Sequence, residues 1–270
     1  MDKNNNQYQE YSFEISQSAN YTLIIQLEVK SFTYAVIYNN KLMAFGENYP
    51  IYQLDEPGDL TDILTANYKT VIIGLCADAL TLVPNHIFQT NKVSEYAHFL
   101  DFTENENVLA HVFNSENIIV YKTPKAIINA INKFGIDNTV YALKGWVNVL
   151  SNQPHVNNKI YIEIGNDHIH FLYFLDGKLH FYQIFEVVDE DDLAYFSVLV
   201  AEQLQLNPRT THLGLSGMID TFDNKFAKLS RFFEKVELTE VALISLPWHL
   251  ENHKVLSTVS LLLCASSEEV

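Results

Sequence analysis

Alternating apolar and polar positions are most regular in residues 159–187. This stretch predicts three antiparallel strands in succession, Lys159–Gly165, His168–Leu175 and Lys178–Glu186. The dipeptide Asp176-Gly177 predicts the turn between the last two strands, because a two-residue type I′ turn requires positive φ at both central positions. The pattern therefore predicts a three-stranded meander.

A similar pattern occurs in residues 21–49, where Asn39-Asn40 supplies the turn. The two copies coincide at an offset of 137 residues, which places Gln26 on Glu163. Each copy is followed by a helix and an apolar strand: the predicted helices are Asp59–Tyr68 and Leu193–Leu206, and the predicted strands are Thr70–Leu75 and Thr211–Leu215. These strands align at an offset of 140, with Gly74 on Gly214. Because the same elements recur in order, we interpret the chain as an internal duplication.

The remaining pattern predicts further elements and a division into halves. These elements are an extended segment returning along the sheet at Ala79–Phe88, a helix at Lys92–Phe102, a hairpin of Val108–Phe113 and Asn117–Lys122, a helix at Pro124–Phe134, a strand at Thr139–Leu143, helices at Gly145–Leu150 and Ile219–Phe233, a strand at Val236–Val241 and a terminal helix at Lys254–Ala265. The polar residues 151–158 predict a linker. We therefore predict a first half, residues 1–150, with an inserted hairpin-helix subdomain at about 92–143, and a second half, residues 151–270. The polar residues 1–18 are expected to be frayed or an edge addition.

Charge and composition exclude several classes of partner. The net charge is −16 and the chain has two arginines, so it lacks the basic surface that nucleic acid or an anionic membrane requires. The first ten residues lack a signal segment, and the apolar runs are far shorter than the ~20 residues of a membrane span. Cys76 and Cys264 lie in apolar stretches that predict buried, reduced thiols. We predict an acidic cytoplasmic protein.

The order of elements over Tyr21–Ala265 resembles the actin-like ATPase fold, a ribonuclease H-like architecture. The second half is similar to the bacterial pilus-assembly and cell-division branch, typified by PilM, FtsA and the cytoplasmic part of type II secretion protein L. More closely, the whole chain resembles a bacterial family of unknown function assigned to this fold. The resemblance implies an α/β protein with mixed sheets and two similar halves.

The resemblance also implies a nucleotide site. Such proteins hold ATP and Mg²⁺ between the halves, with an Asp-x-Gly motif from each meander and a glycine-rich turn at the adenosine. In the second half, Glu163-Ile164-Gly165 matches the motif with glutamate in place of aspartate. His212–Met218 matches the adenosine strand and turn, with Ser216 where glycine is usual. The candidate residues of this half are Glu163, Gly165, Asn166, Asp167, Gly214, Ser216 and Gly217.

The first half departs from the family motif at two positions. Gln26 stands where the carboxylate belongs, and Glu28 stands where the glycine belongs. The charge of Glu28 would repel a polyphosphate and its Cβ would obstruct close approach. We therefore predict a vestigial nucleotide cleft that includes Gln26 and Glu28, with no catalytic residue and no metal ligand assigned. ATP with Mg²⁺ is a cofactor only if the cleft still functions.

Three functional hypotheses follow. The first is a degenerate, non-hydrolytic actin-like protein that acts as a binding or assembly component, through a protein partner or self-association. The second is an ATPase or small-molecule kinase with altered motifs, in which Glu163, Gly165 and Asp167 position Mg²⁺–ATP. The third is a pseudo-enzyme subunit of an oligomeric complex.

Other polar groupings have two interpretations each. His168 and His170 share one face of a strand, which suits a metal site or cross-strand packing. The acidic run Asp189–Asp192 suits a metal site or the capping of the following helix. His249 and His253 flank Glu251 in a spacing similar to that of the zinc-protease helix, but the glutamate is one position late, so we discount it.

Overall fold

The computed structural model describes residues 7–189 and 191–265 of the chain. The described residues form two compact units. The first unit contains residues 7–145, Leu243–Pro247 and residues 258–265, and the second contains residues 146–242 and Trp248–Ser257. Residues 146–150 thus group with the second unit, whereas the predicted boundary lies at 150. The division into halves 1–150 and 151–270 stays a prediction.

Fourteen strands and seven α-helices are present in the described residues. The strands are β1 Gln7–Gln9, β2 Thr22–Leu27, β3 Ser31–Tyr38, β4 Lys41–Pro50, β5 Thr70–Leu75, β6 Ala79–Pro84, β7 Glu106–Val112, β8 Asn117–Pro124, β9 Thr139–Tyr141, β10 Lys159–Ile164, β11 His168–Leu175, β12 Lys178–Glu186, β13 His212–Gly217 and β14 Lys235–Leu238. The helices are α1 Thr61–Thr65, α2 Val93–Ala97, α3 Lys125–Ile131, α4 Lys144–Ser151, α5 Asp192–Gln203, α6 Asn224–Phe232 and α7 Asn252–Ser260. No helix among these residues has the length and apolar character needed to cross a membrane.

Both predicted meanders form. In the first unit the sheet order is β1-β4-β3-β2-β5-β9, and in the second it is β12-β11-β10-β13-β14. The turn residues Asn39 and Asn40 have φ of 48° and 57°, and Asp176 and Gly177 have φ of 50° and 75°. Left-handed backbone at both central positions confirms the two predicted hairpin turns.

Strand register corrects one alignment between the two copies. β10 and β11 begin 137 residues after β2 and β3, as predicted. In the next strands, however, Gly74 pairs with Gln26 while Ser216 pairs with Glu163. Ser216 is therefore the counterpart of Gly74, at an offset of 142, and the offset of 140 that paired Gly74 with Gly214 is wrong. Glycine identity misled the alignment because the connection before β13 is two residues longer.

A third sheet, ordered β6-β8-β7, lies in the first unit. It corrects the prediction for Ala79–Phe88, because β6 pairs with β8 rather than returning along the main sheet. Its core contains Val83, Leu100 and Val120. An apolar strand specifies burial but not which sheet receives it, since that choice depends on β8, some 40 residues later. The inserted segment is thus wider at its start than the predicted 92–143, and β9 belongs to the main sheet.

The second unit has a core on one face of its sheet. Ile162, Phe171, Leu213 and Leu215 pack there with residues of α5 and α6. The helix predicted from Ile219 begins only at Asn224, because the Asp223 carboxylate accepts the backbone N–H of Asp220 at 2.8 Å and closes a turn first.

The acidic run before α5 serves the helix start. The Asp189 carboxylate accepts the backbone N–H groups of Asp191 and Asp192 at 2.7 and 3.2 Å. Asp192 in turn accepts the N–H groups of Val188 and Asp189, and these bonds lower the pKa of its carboxyl. The capping prediction is confirmed for these residues, whereas Glu190 lies outside the described residues.

Candidate functional site

The two motifs of the second half meet at neighbouring strand ends. β10 and β13 are parallel, with Glu163 paired with Ser216 and Ile164 with Gly217. Parallel pairing brings the two carboxyl ends to the same edge of the sheet, so the family's phosphate and adenosine motifs lie side by side. The glutamate is 5% exposed and Ser216 is fully buried.

A chain of hydrogen bonds joins Glu163 to the first residues of α4. The Ser216 hydroxyl donates to Oε2 of Glu163. Nε1 of Trp146 donates to the Ser216 hydroxyl over 2.9 Å, and the indole ring is completely buried. An indole N–H can only donate, and the serine hydroxyl both accepts and donates, so the chain has one direction and ends on the carboxylate.

This arrangement explains why serine occupies the position where glycine is usual. A glycine at 216 would leave the buried indole N–H of Trp146 without this acceptor, which is costly in a buried site. The serine hydroxyl satisfies Trp146 and at the same time solvates a buried carboxylate. Ser216, Trp146 and Glu163 thus form one structural group.

The turn after β13 keeps its glycine for a backbone reason. Gly217 has φ of +84°, and a Cβ there would overlap the carbonyl oxygen of Ile164. The same carbonyl accepts the backbone N–H of Met218 at 2.8 Å. Gly214 lies inside the strand, where a Cβ would come within 2.9 Å of Lys159 and 3.1 Å of Tyr161. Both glycines are therefore required by packing within the second unit.

The turn between β10 and β11 holds Gly165, Asn166 and Asp167. The backbone N–H of Gly165 donates to the carbonyl of His168 at 2.9 Å, and the carbonyl of Asp167 accepts from Val187 at 2.9 Å. The equivalent turn in the first unit has the same bond, from the N–H of Glu28 to the carbonyl of Ser31, also at 2.9 Å. Since the turn forms with glutamate as well as glycine, it does not itself require glycine.

The altered residues of the first motif are engaged within the first unit. The Thr258 hydroxyl of α7 donates to Oε1 of Gln26. The Glu28 carboxylate accepts the Ser31 hydroxyl at 2.9 Å and is partly buried. The structure therefore places the predicted site residues in two local groups, each with polar partners of its own.

The strand histidines pack across strands. Nδ1 of His170 lies 3.2 Å from the Tyr182 hydroxyl, and the two rings stack with centroids 6.1 Å apart. Burial lowers the pKa of His170 to about 3, so its ring is neutral at physiological pH. Among the described residues neither His168 nor His170 belongs to a group with metal-ligand geometry.

A different polar cluster does have such geometry. One ligand atom from each of Asp220, Glu251 and His253 lies within 4.8 Å of the others. Nζ of Lys254, however, lies 3.0 Å from both Asp220 and Glu251. The ammonium already neutralises these carboxylates, and the ring of His253 lies between Glu240 at 3.1 Å and the Ile219 carbonyl at 2.9 Å. The cluster is an ion-pair network that joins α7 to the loop after β13.

Sequence reasoning missed Trp146 and Thr258. Each lies far along the chain from the residue it contacts, 70 residues from Ser216 and 232 from Gln26. The sequence contained one indirect signal, because Trp146 is one of only two tryptophans and begins a predicted helix just before the linker.

Comparisons with known proteins identify the fold. A family model described as "Protein of unknown function (DUF3822)" matches residues 9–236. A protein of Bacteroides thetaiotaomicron VPI-5482 with actin-like ATPase fold and unknown function is 19% identical, covers 93% of this chain and 99% of its own, and superposes with a TM-score of 0.76. The PilM–PilN type IV pilus biogenesis complex is 13% identical, with coverage of 90% and 98% and a TM-score of 0.57. No protein of curated function matches.

The chain therefore has the actin-like ATPase fold, and this prediction is confirmed. The predicted resemblance to a family of unknown function with this fold is confirmed as well. Structural likeness at these identities shows the fold alone, and a fold hosts many activities.

Proposed function

The chain belongs to the DUF3822 family of proteins of unknown function, and we propose that it is a degenerate actin-like protein that does not hydrolyse ATP and acts as a binding or assembly component. The observation that carries this proposal is the hydrogen-bond chain from Trp146 through Ser216 to Glu163. It uses the carboxylate that, by resemblance, would orient metal-bound water.

The engagement of Glu163 makes it a poor ligand for hydrated Mg²⁺. Mg²⁺ holds its waters tightly and is bound through carboxylate oxygens that face water and phosphate. Glu163 is 5% exposed, and one of its oxygens accepts from a serine that is itself fixed by Trp146. Freeing the carboxylate would leave the buried hydroxyl and indole N–H with unmatched polarity. These residues do not fit Mg²⁺–ATP, and we derive no reaction step through it.

The first half supports the same conclusion independently. Gln26 carries no charge and accepts from Thr258, so it offers no carboxylate to a metal ion. Glu28 occupies the turn position of Gly165 and places a negative charge where the resemblance expects a phosphate.

A role in assembly is supported by what the fold does elsewhere. One solved structure of this fold is a complex, the PilM–PilN type IV pilus biogenesis complex. Several large apolar side chains of the second unit are also exposed, among them Phe222 at 99% and Trp248 at 96%. Exposed aromatic side chains of this size are typical of surfaces that bind other proteins.

A thermal-shift titration with ATP, ADP and Mg²⁺ tests the proposal. We expect no saturable rise in Tm at millimolar nucleotide, because stabilisation follows RT ln(1 + [L]/Kd) only when the folded state binds. Gly165→Val serves as the matched variant. A saturable rise in the parent protein that is lost in Gly165→Val would instead favour the ATPase or kinase hypothesis.

A further inference from the structure

The outer edge of β12 is the feature of the second unit that the proposed function does not explain. In the five-stranded sheet β12 is terminal, and no strand of the described residues pairs with its outer side. An edge strand presents unpaired backbone N–H and C=O groups, which are a template for another strand. Proteins cover, bend or charge such edges.

The first unit shows how the equivalent edge is closed. β4, the counterpart of β12, is covered by β1 in antiparallel pairing, with Tyr8 opposite Phe45. The backbone N–H of Glu10 continues this pairing to Met43 at 2.8 Å. Further along, the N–H of Leu42 donates to the carbonyl of Ser245 at 3.1 Å. The edge of β4 is therefore covered from its first residues.

An ion pair closes the end of this pairing. Nζ of Lys41, the first residue of β4, lies 2.8 Å from the carboxylate of Glu10, which follows β1 directly. The bond to Lys41 holds the pKa of Glu10 below its usual range. The covering segment thus has the sequence Gln7-Tyr8-Gln9 with an acidic residue next to it.

β12 carries the same features on both sides of the interaction. Its first residue is Lys178, which lies 137 residues after Lys41, and its central residues include Tyr182-Gln183. Its last residue is Glu186. Lys178 and Glu186 are both exposed, and neither forms an ion pair with another described residue. β12 therefore resembles the covered strand at one end and the covering strand at the other.

We propose that β12 pairs antiparallel with β12 of a second copy of this chain, which extends the sheet of the second unit across a two-fold axis. Pairing centred on Tyr182 places Lys178 opposite Glu186 of the other copy, twice by symmetry. Phe181 then lies opposite Gln183, which is the register that β1 adopts on β4.

The charges at the two ends of β12 give this pairing its specificity. Charges on an edge strand oppose pairing with unlike strands, whereas in this register they meet as opposite charges. A bulge at His180, between the pairs Tyr173–Phe181 and Phe174–Leu179, does not prevent it. The equivalent bulge in β4 lies at Met43, and β1 pairs beside it. The inference stands on the sheet edge alone and is independent of whether the chain hydrolyses ATP.

A charge-swap series tests the pairing. Sedimentation velocity of the full chain from about 1 to about 200 μM measures the dimer, over a range that spans typical weak to moderate affinities. We expect Lys178→Glu and Glu186→Lys each to weaken the dimer about tenfold or more, because each places like charges opposite one another at both ends. The double variant Lys178→Glu/Glu186→Lys should restore it. Lys69→Glu, an exposed lysine of the first unit, is the control with the same change in charge as Lys178→Glu.

Hydrogen exchange locates the contact. Backbone amides of β12 should become more protected as protein concentration rises, while those of β14 at the other edge should not. A chain that is monomeric at 200 μM would overturn the proposal, where that upper limit is on the order of a weak association. A dimer that both single variants leave unchanged, or one that the double variant fails to restore, would overturn it as well.

Discussion

The substitution Trp146→Phe isolates the hydrogen-bond chain at the candidate site. Phenylalanine keeps an aromatic ring in a fully buried position but removes the N–H that donates to Ser216 at 2.9 Å. Loss of a buried hydrogen bond costs about 1–3 kcal/mol, because the remaining partner stays desolvated. The smaller ring adds about 1 kcal/mol for lost apolar burial. We therefore expect the free energy of unfolding to fall by roughly 2–4 kcal/mol.

The second tryptophan provides a matched control. Trp248 is 96% exposed, so Trp248→Phe should change stability by less than about 0.5 kcal/mol. Urea unfolding followed by far-UV circular dichroism measures both variants without relying on the fluorophores being replaced. A double-mutant cycle of Trp146→Phe with Ser216→Ala should give a coupling energy of about 1 kcal/mol. Equal stabilities of Trp146→Phe and Trp248→Phe, or additive single effects, would refute the argument that Trp146 holds Ser216 and Glu163.

Three further predictions test other parts of the structure. Gly217→Ala should destabilise by about 2–4 kcal/mol in urea unfolding, whereas Gly58→Ala, which also has positive φ but open space, should cost only about 1 kcal/mol, and equal costs would contradict the close approach to Ile164. Because the pKa of His170 is about 3 in the folded chain and the ordinary value is 6.5, the unfolded chain binds the proton first as pH falls; stability should therefore decrease on acidification from about 6.5, and His170→Gln should remove a slope of about 1.4 kcal/mol per pH unit between roughly pH 6 and 4. Burial raises the pKa of the Cys76 thiol to about 12, so this thiol should not react with a disulfide reagent at pH 8 until the protein unfolds, and rapid labelling of the folded chain would contradict its burial.

The sequence predicted the meanders because their information is local. Hairpin turns depend on two residues with positive φ, and Asn39-Asn40 and Asp176-Gly177 state that requirement directly. Strand alternation and the constant offset of 137 then specify two copies of one unit. The same local logic predicted capping by Asp189 and Asp192.

Long-range pairing was beyond sequence reasoning. β6 shows this limit, because nothing in its apolar residues indicates that β8 rather than the main sheet receives it. Alignment by glycine identity placed Gly74 on Gly214, whereas the strand registers place it on Ser216. That shift matters for the site, since it turns the serine from an irregular residue of the adenosine turn into the partner of Glu163.

The candidate site was predicted in its members but not in its bonds. Glu163, Ser216 and Gly217 are adjacent as the two motifs require. Trp146, which fixes this group, is 70 residues from Ser216 and belongs to no motif that the sequence showed. Side-chain partners of this kind depend on helix packing, and single-sequence periodicity does not specify which side chain of a buried helix face meets which strand.

Release of inorganic phosphate from ATP with Mg²⁺ tests the central claim most directly. The full chain should release no more phosphate than its Glu163→Ala variant, because Glu163 is buried and bonded to Ser216. A Ser216→Gly variant, which restores the residue usual in the family, completes the comparison. Phosphate release by the parent chain that exceeds the Glu163→Ala background and saturates with ATP would contradict a non-hydrolytic protein and establish the ATPase alternative.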